Sequence, residues 1–372
     1  MIDVKKELSK ELNHKKLDAF VIVSDPDKNN PINQADMFIR GLEKDRNIYH
    51  DLFSKHQFFQ LKIKKQSLSE NLETWIGFDE SNGNLIQVWL CLRCKIDDQT
   101  NAMTHNDGCD RVLKKVAKSR LPFKGPGIAL IGSDGSGKST VTLDLEKWLS
   151  EKIDCRRYYL GSGEHYNSIY KRCIKMMIRG FRLSRDLNKK QTVKAGENEL
   201  DQTQVNSVKK GLKNWYCHIN AFYLYRISVR TLKQLKMSNG FSKGGGIRLF
   251  DRYPQNQFMG INDGPKIRKL YGNINSSVIN RLIQMEEENI NRCVKMSPDL
   301  VIKLVISPEV AILRKPDHNI PELEKKTDII RNLNFENTVV QNIDANQKYE
   351  EELRTIKKLI WDYLFQLSKM NG

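Results

Sequence analysis

Short apolar segments alternate with longer amphipathic ones over the C-terminal two-thirds of the chain. The pattern predicts strands at residues 127–131, 156–160, 247–251, 300–306 and 338–343. It predicts helices between them at 139–152, 215–237, 278–296 and 309–315, and a closing helix at 349–367. Strands that are apolar on both faces and separated by helices indicate a parallel sheet covered on both sides. We therefore predict an α/β fold of three layers with a five-stranded parallel sheet.

The N-terminal third has a different pattern. Strands are predicted at 20–23, 35–39 and 84–91, the last after the turn at Asn82-Gly83. An amphipathic helix is predicted at 111–121, and the segment 119–127 contains two prolines and two glycines, as linkers do. The sequence therefore predicts a smaller α+β domain over 1–121 and a larger domain over 122–372.

Charge adds a question about partners. The 372 residues include 62 Lys+Arg against 45 Asp+Glu, a net charge of +17. This excess favours an anionic substrate or a polyanionic partner, although a basic surface without a particular partner gives the same composition. With 39% hydrophobic residues the chain is not disordered.

Location is predicted from three features. No apolar run approaches the roughly 18 residues of a membrane-spanning helix. The N-terminus is charged and lacks an apolar signal core, and the seven cysteines are typical of free thiols. We expect a cytoplasmic protein.

A glycine-rich motif between a predicted strand and a predicted helix indicates the chemistry. It fits G-x-x-x-x-G-K-[ST] and comprises Gly132, Ser133, Asp134, Gly135, Ser136, Gly137, Lys138, Ser139 and Thr140. Such a loop turns successive N–H groups toward a phosphate, Lys138 reaches the β- and γ-phosphates, and the Ser139 hydroxyl binds Mg²⁺. The alternative is a glycine-rich turn that matches by chance. The strand–loop–helix context favours ATP and Mg²⁺ as ligands.

Further segments resemble the thymidylate kinase family of P-loop nucleoside monophosphate kinases. Asp251-Arg252-Tyr253 follows a predicted strand, residues 298–315 resemble that family's fourth strand and the start of its lid, and residues 343–345 its last strand. The resemblance implies ATP- and Mg²⁺-dependent phosphoryl transfer to a nucleoside monophosphate, thymidylate or a similar nucleotide. It also implies that Asp251 stands near Mg²⁺ and that Arg252 holds the acceptor phosphate.

The same resemblance suggests roles for Asp134, Arg314, Phe222 and Arg226. Asp134 would contact the acceptor sugar, or else be a solvated loop residue. Arg314, in the lid-like stretch 314–326, would neutralise charge on the transferred group, or else be a solvated helix end. Phe222 and Arg226, four residues apart on a predicted helix, would contact the acceptor base, or else belong to the core. Further candidates for the lid cation are Arg331, Lys315, Lys325 and Lys326.

Two features depart from that family. An insert covers residues 165–214, and between 166 and 195 it carries nine Lys/Arg against one acid. This basic amphipathic stretch could bind a membrane surface or nucleic acid, border the active site, or be a solvated helix, which is the usual case. The second departure is Asp263-Gly264-Pro265, a turn that could shape the acceptor site.

The first domain faintly resembles nucleotidyltransferase-like domains, in which clustered acids hold two metals. Of those acids only Asp36 is present, with Gln34, Gln87 and Trp89 at the other positions. We expect a catalytically inactive domain with a sensing or assembly role. Zinc binding by Cys91, Cys94, His105 and Cys109 is a further alternative, less favoured because Cys91 and Cys94 would point to opposite faces of a strand.

Two other functions stay open. The acceptor could be a different nucleotide or another phosphorylated small molecule. Alternatively, the protein could be a nucleotide-switched binding protein without activity, whose basic insert engages a membrane or nucleic acid. A homodimer is compatible with either function.

Overall fold

The computed structural model describes residues 4–15, 20–23, 36–62, 72–93, 119–161, 199–314 and 320–371. The elements of the N-terminal part are α1 (Val4–His14), β1 (Phe20–Val23), β2 (Met37–Leu42), α2 (Arg46–Lys55), β3 (Phe59–Leu61), β4 (Leu72–Asp79) and β5 (Asn84–Arg93). The strands form one mixed sheet in the order β1-β2-β5-β4-β3, in which only β2 and β5 run parallel.

Alternation along β5 explains how this sheet is covered. Ile86, Val88, Leu90 and Leu92 belong to one apolar cluster with residues of α1 and α2. Since neighbouring side chains on a strand point to opposite faces, this period of two buries one face against the two helices. The predicted strand at 20–23 is confirmed, and those at 35–39 and 84–91 overlap β2 and β5. The sequence pattern did not predict β3, β4 or α2.

The C-terminal part forms the predicted five-stranded parallel sheet. Its elements are β6 (Gly127–Gly132), α3 (Lys138–Ser150), β7 (Cys155–Tyr159), α4 (Glu199–Lys243), β8 (Ile247–Asp251), α5 (Ile267–Tyr271), α6 (Ser277–Val294), β9 (Leu300–Val305), α7 (Pro308–Arg314), α8 (Ile320–Asn332), β10 (Val339–Asp344) and α9 (Tyr349–Asn371). The strand order is β10-β9-β6-β8-β7. Every residue of the central strand β6 is buried, as a strand covered on both faces requires.

Two helix predictions need correction. The helix predicted at 215–237 is the middle of α4, which begins at Glu199 and is 45 residues long. Its polar first turns lack the apolar periodicity on which the prediction rested. In the helix predicted at 111–121, residues 111–118 lie outside the described residues. Ser119 and Arg120 are extended and form single bridges with Ile153 and Lys62.

The two sheets share one apolar core. Phe59 and Phe78 of the first sheet belong to the same buried cluster as Trp148 of α3 and Trp361 of α9. Phe78 lies edge-on to Trp148 and stacks on Trp361, with ring centroids 6.1 Å apart in both pairs. The N-terminal part is therefore packed directly against the helix that follows the glycine-rich loop.

Ion pairs accompany this contact. Asp36, at the start of β2, lies 3.0 Å from the Nζ of Lys152, just beyond α3. Arg120 pairs with Asp154 at 2.8 Å. Arg120, which precedes β6, is thus held by Asp154, which precedes β7, while the boundary at 121/122 stays a prediction.

The described cysteines Cys91, Cys155, Cys217 and Cys293 are buried. In the described part of the chain, no helix has both the length and the apolar character needed to cross a membrane.

Candidate active site

The glycine-rich loop joins β6 to the N-terminus of α3. Gly135 and Gly137 have φ values of +86° and +82°, in the left-handed region that glycine adopts without strain. A β-carbon at Gly135 would also lie 2.9 Å from the carbonyl oxygen of Ala311 in α7. The loop can therefore curl closely over the first turn of α3, where free N–H groups and the helix dipole attract a phosphate.

Polar groups inside this loop are left without partners. The hydroxyls of Ser133 and Ser136 are buried and make no hydrogen bond to any described residue. Lys138, only 6% exposed, donates from Nζ to the Ser133 carbonyl oxygen at 2.8 Å. Burial, reinforced by the charge of Arg252, lowers the pKa of Lys138 to about 8. Because buried polar groups are normally paired, these hydroxyls are well suited to receive phosphate oxygens.

Asp251 fits a magnesium ligand. It ends β8, is fully buried, and its Oδ1 has no hydrogen-bond partner among the described residues. The other oxygen, Oδ2, lies 3.5 Å from Nη1 of Arg157, which also pairs with Glu146 of α3 at 3.3 Å. Ser139 is exposed in the first turn of α3. Mg²⁺ commonly uses one or two carboxylates together with substrate phosphates, so Asp251 and Ser139 fit this ion.

Arg252 lies between two carboxylates. Its Nη2 is 3.6 Å from Oδ1 of Asp134 in the loop, and its Nη1 is 3.6 Å from Oδ2 of Asp263. Its Nε is buried without a partner in the described part of the chain. The backbone of Arg252 has φ +71° and donates to the carbonyl oxygen of Leu130. A non-glycine residue in this conformation is strained, which is common at functional sites.

Asp134 is firmly ionised. Burial alone would raise its pKa, but the hydrogen bond from Lys326 and the charges of Lys138 and Arg252 outweigh burial and bring the pKa to about 2. The distance from Lys326 Nζ to Asp134 Oδ2 is 2.9 Å. The Asp134 carboxylate therefore interacts with three cations, Lys138, Arg252 and Lys326.

Lys326 is the lid cation that the structure brings to the loop. It lies on α8, whose C-terminal end is held by Lys303, since Lys303 Nζ donates to the carbonyls of Arg331 and Leu333 at 2.9 and 2.6 Å. Asn262 Nδ2 donates to the carbonyl of Lys326 at 3.2 Å. The cation thus reaches the loop from a helix that is fixed to the sheet.

The other lid candidates are placed elsewhere. Arg314 is exposed at the end of α7 and donates from Nη2 to the carbonyl of Ala345 at 2.9 Å, after the last strand. Arg331 and Lys325 are exposed, and Arg331 pairs with Asp328. Lys315 lies outside the described residues. The role of Arg314 in transfer stays a prediction that its present contacts do not support.

Phe222 and Arg226 are both exposed on α4, so they are not core residues. A narrow cleft of about 30 Å³ lies along α4 and reaches Asp263. Its lining consists of Leu160, Leu224, Ile227, Ser228, Thr231, Pro254, Asp263, Gly264, Lys266, Glu286 and Ile290. At 3.6 residues per turn, the α4 residues of this lining lie on the helix face opposite Phe222 and Arg226. The structure does not bring this pair to the cleft.

The remaining sequence candidates have other partners or lie outside the described residues. Asp36 accepts the backbone N–H of Gln87 at 2.8 Å and pairs with Lys152 and Lys5, so its carboxylate has structural partners. Gln34 and the basic stretch 166–195 lie outside the described residues, as do Cys94, His105 and Cys109. In the part that is described, no group of three or more His, Cys, Asp or Glu side chains is arranged to hold a metal.

Sequence reasoning missed Arg157 and Asn262. Arg157 precedes a strand end by two residues, and nothing in its neighbourhood distinguishes it from Arg156. Asn262 has φ +47° and precedes Asp263, φ +65°, in the turn that the sequence did single out. The asparagine–aspartate–glycine run is the available signal, since these residues tolerate left-handed backbone.

No family model matches the sequence. Two Escherichia coli K12 proteins are similar: the "Uncharacterized ATP-binding protein YghR", 31% identical over 241 residues (63% of this chain, 87% of YghR), and YghS, with the same description, 27% identical over 234 residues (63% of this chain, 91% of YghS). Among solved structures, deoxyadenosine kinase from M. mycoides with bound dATP aligns at 16% identity and a TM-score of 0.34, over 63% of this chain and 98% of the kinase. A TM-score this low supports no assignment. The similarity to YghR, at 31% identity over 87% of that protein, shows that this chain belongs to the family of YghR.

Proposed function

We propose that this protein is an ATP- and Mg²⁺-dependent phosphotransferase. The observation that carries the proposal is the set of unpaired buried polar groups in and beside the loop: the Ser133 and Ser136 hydroxyls and Oδ1 of Asp251. They belong to the loop that carries the buried Lys138 and to the end of the strand β8, at the carboxyl edge of a parallel sheet, where ligands of open α/β folds bind. The description of YghR as an ATP-binding protein supports the same donor.

The chain's own residues supply positioning and charge. The loop N–H groups and Lys138 hold the β- and γ-phosphates, and Lys326 brings a further cation from α8. Ser139 and Asp251 would hold Mg²⁺, which would supply positive charge next to the phosphates. Arg157 keeps Asp251 in place through Oδ2. Phosphoryl transfer requires little covalent chemistry from the protein, so groups that position the phosphates and supply positive charge are the groups that the reaction needs.

The acceptor that the sequence resemblance implies is a nucleoside monophosphate, with thymidylate as the first to test. The resemblance supports it through Asp251-Arg252-Tyr253, because an arginine at the sheet edge can hold a phosphate bidentately. Another phosphorylated small molecule would use the same arginine.

The test is binding and turnover of ATP by the full chain. We expect wild-type protein to bind ATP and to form ADP only with Mg²⁺. Lys138→Ala should weaken binding strongly, because Lys138 is buried against the loop. Lys147→Ala is the matched control, since Lys147 lies on the same helix with its side chain 78% exposed. A wild-type protein that binds no ATP, or two lysine variants with equal affinity, would sink the proposal.

A further inference from the structure

We infer that the phosphoryl acceptor presents a hydroxyl group rather than a phosphate, and that Asp263 accepts the proton of that hydroxyl. The inference rests on the proposed phosphotransferase function. It replaces the acceptor class that the sequence resemblance implies.

The first argument is charge balance around the loop. Among the described residues, the cations Lys138, Arg157, Arg252 and Lys326 face the carboxylates Asp134, Glu146, Asp251 and Asp263, as the ion pairs and mutual charge effects of these residues indicate. Four positive charges against four negative ones leave no excess. ATP with Mg²⁺ still brings net negative charge into this site, and an acceptor phosphate would add more. A hydroxyl acceptor adds none.

The second argument is the state of Arg252. A guanidinium binds a phosphate best through two parallel N–H groups. Here both terminal nitrogens already face carboxylates, each at 3.6 Å. A phosphate entering between Asp134 and Asp263 would meet two like charges, and such contacts cost free energy in a partly buried site. Arg252 is therefore better suited to orient the two carboxylates than to receive an acceptor phosphate.

The third argument is the position of Asp263. It borders both the cleft along α4 and a smaller cavity of about 10 Å³ next to the loop, which Gly132, Lys138 and Arg252 also line. A group bound in the α4 cleft thus meets Asp263 on the side toward the transferred phosphate. The backbone of Asp263 is held in a left-handed conformation, and its side chain is only 10% exposed. A carboxylate fixed between acceptor cleft and phosphate loop is placed to take a proton.

The fourth argument is the lining of the cleft. Its side chains from α4 are Leu224, Ile227, Ser228 and Thr231, and none of the lining residues is aromatic. A nucleobase would find no ring to stack on there. Aliphatic side chains together with the polar residues Ser228, Thr231, Lys266 and Glu286 suit a compound that carries hydroxyl groups. At about 30 Å³ the cleft admits a group the size of one water, and a larger acceptor must widen it.

The proposed step balances as follows. The acceptor oxygen forms a bond to the γ-phosphorus while the bond from that phosphorus to the β,γ-bridging oxygen breaks. The electron pair of the broken bond goes to the β-phosphate oxygen of ADP. The acceptor proton passes to the Asp263 carboxylate and then to water. No oxidant, reductant or further reactant is needed.

Water is the smallest hydroxyl acceptor, so the test does not depend on knowing the natural one. We expect slow Mg²⁺-dependent ATP hydrolysis by wild-type protein, and a loss of about 100-fold or more in Asp263→Asn. Asparagine tolerates the left-handed backbone, so this variant should fold and still bind ATP. The acid limb of the kcat profile against pH should disappear in the variant. If Asp263 only held Arg252 in place, that limb would persist.

Matched acceptor pairs complete the test: thymidine and thymidylate, ribose and ribose 5-phosphate, glycerol and glycerol 3-phosphate. Transfer to unphosphorylated members supports the inference. Transfer confined to sites on the phosphates overturns it and leaves the phosphotransferase function standing. Hydrolysis by Asp263→Asn at the wild-type rate also overturns it, as does a protein that binds ATP but neither hydrolyses it nor phosphorylates any unphosphorylated member. Absence of ATP binding refutes the proposed function itself.

Discussion

Replacing Phe78 by alanine should destabilise both sheets together. Phe78 is the next-to-last residue of β4 and is 6% exposed, and its ring packs against Trp148 of α3 and Trp361 of α9, in the other half of the protein. The substitution leaves a cavity where β4 packs against α3 and α9. It removes no hydrogen bond and no charge, so its effect measures packing alone.

The magnitude follows from burial. Truncation of a buried phenylalanine to alanine costs about 3–5 kcal/mol, through lost transfer free energy and the remaining cavity. The two ring contacts contribute about 0.5–1.5 kcal/mol each to that cost. Since a folded protein is stable by only about 5–15 kcal/mol, the variant should lose a large fraction of its free energy of unfolding.

Urea unfolding checks this prediction with two probes, tryptophan fluorescence and far-ultraviolet circular dichroism. We expect one transition in both probes, shifted to lower urea in the variant. Phe222→Ala is the matched control: it makes the same truncation at a ring that is 44% exposed, and should cost less than about 1 kcal/mol. A transition of the N-terminal part that moves alone, with the rest of the protein unaffected, would refute the shared core.

Three further predictions concern ionised groups. Burial raises the pKa of Glu352 to about 7 from its ordinary 4.5, so the folded state holds this proton more tightly than the unfolded chain and stability falls as pH rises from about 4.5 to 7. At pH 8, Glu352→Gln should therefore raise the free energy of unfolding by up to about 3 kcal/mol, which is seen as a higher melting temperature. At pH 5 the rise should be much smaller, and equal shifts of the melting temperature at pH 5 and pH 8 would contradict this prediction. Without ATP the pKa of Lys138 is about 8, and bound phosphates favour its charged form. Above pH 8, ATP binding should therefore take up a proton, and the affinity for ATP should fall by up to about tenfold per pH unit. Calorimetry in two buffers of different ionisation enthalpy measures this uptake, and a constant affinity from pH 8 to 9 would exclude it. Asp251→Asn should raise the Mg²⁺ concentration for half-maximal turnover at least about tenfold while leaving ATP binding without Mg²⁺ unchanged, and an unaltered Mg²⁺ titration would remove Asp251 from the metal site.

Local patterns were reliable guides to the second sheet. Its central strands β6, β8 and β9 are short, mostly apolar runs, and β8 covers the predicted residues 247–251. The edge strands β7 and β10 carry more polar residues, and each lies within one residue of its predicted position. The long helix α4 was only partly predicted, because its first turns are polar and packing does not mark them in the sequence. In the first sheet, β3 and β4 carry too short or too uniformly buried a pattern to be separated from other apolar segments.

The candidate site likewise contains residues that local motifs predict and residues that they do not. The loop residues from Gly132 to Thr140 and the pair Asp251 and Arg252 are defined by motifs and strand ends, which are local. The face of α4 that borders the cleft is not, since the helix carries aromatic and polar residues on several sides. Phe222 and Arg226 share the expected spacing, but spacing alone does not tell which face of a helix is turned toward the site.

The sequence by itself determined the parallel sheet, the phosphate loop at its carboxyl edge and the need for cations around it, because these follow from periodicity and from motifs a few residues long. The tertiary structure alone decided which cation and which acid complete the site. Lys326 meets Asp134 across a separation of 192 residues, and Asp263 meets Arg252 through a turn held in left-handed backbone. Such pairs form because helices pack on the sheet in one particular arrangement. The energy of that packing comes from many side chains that are far apart in the sequence, so no single segment predicts it.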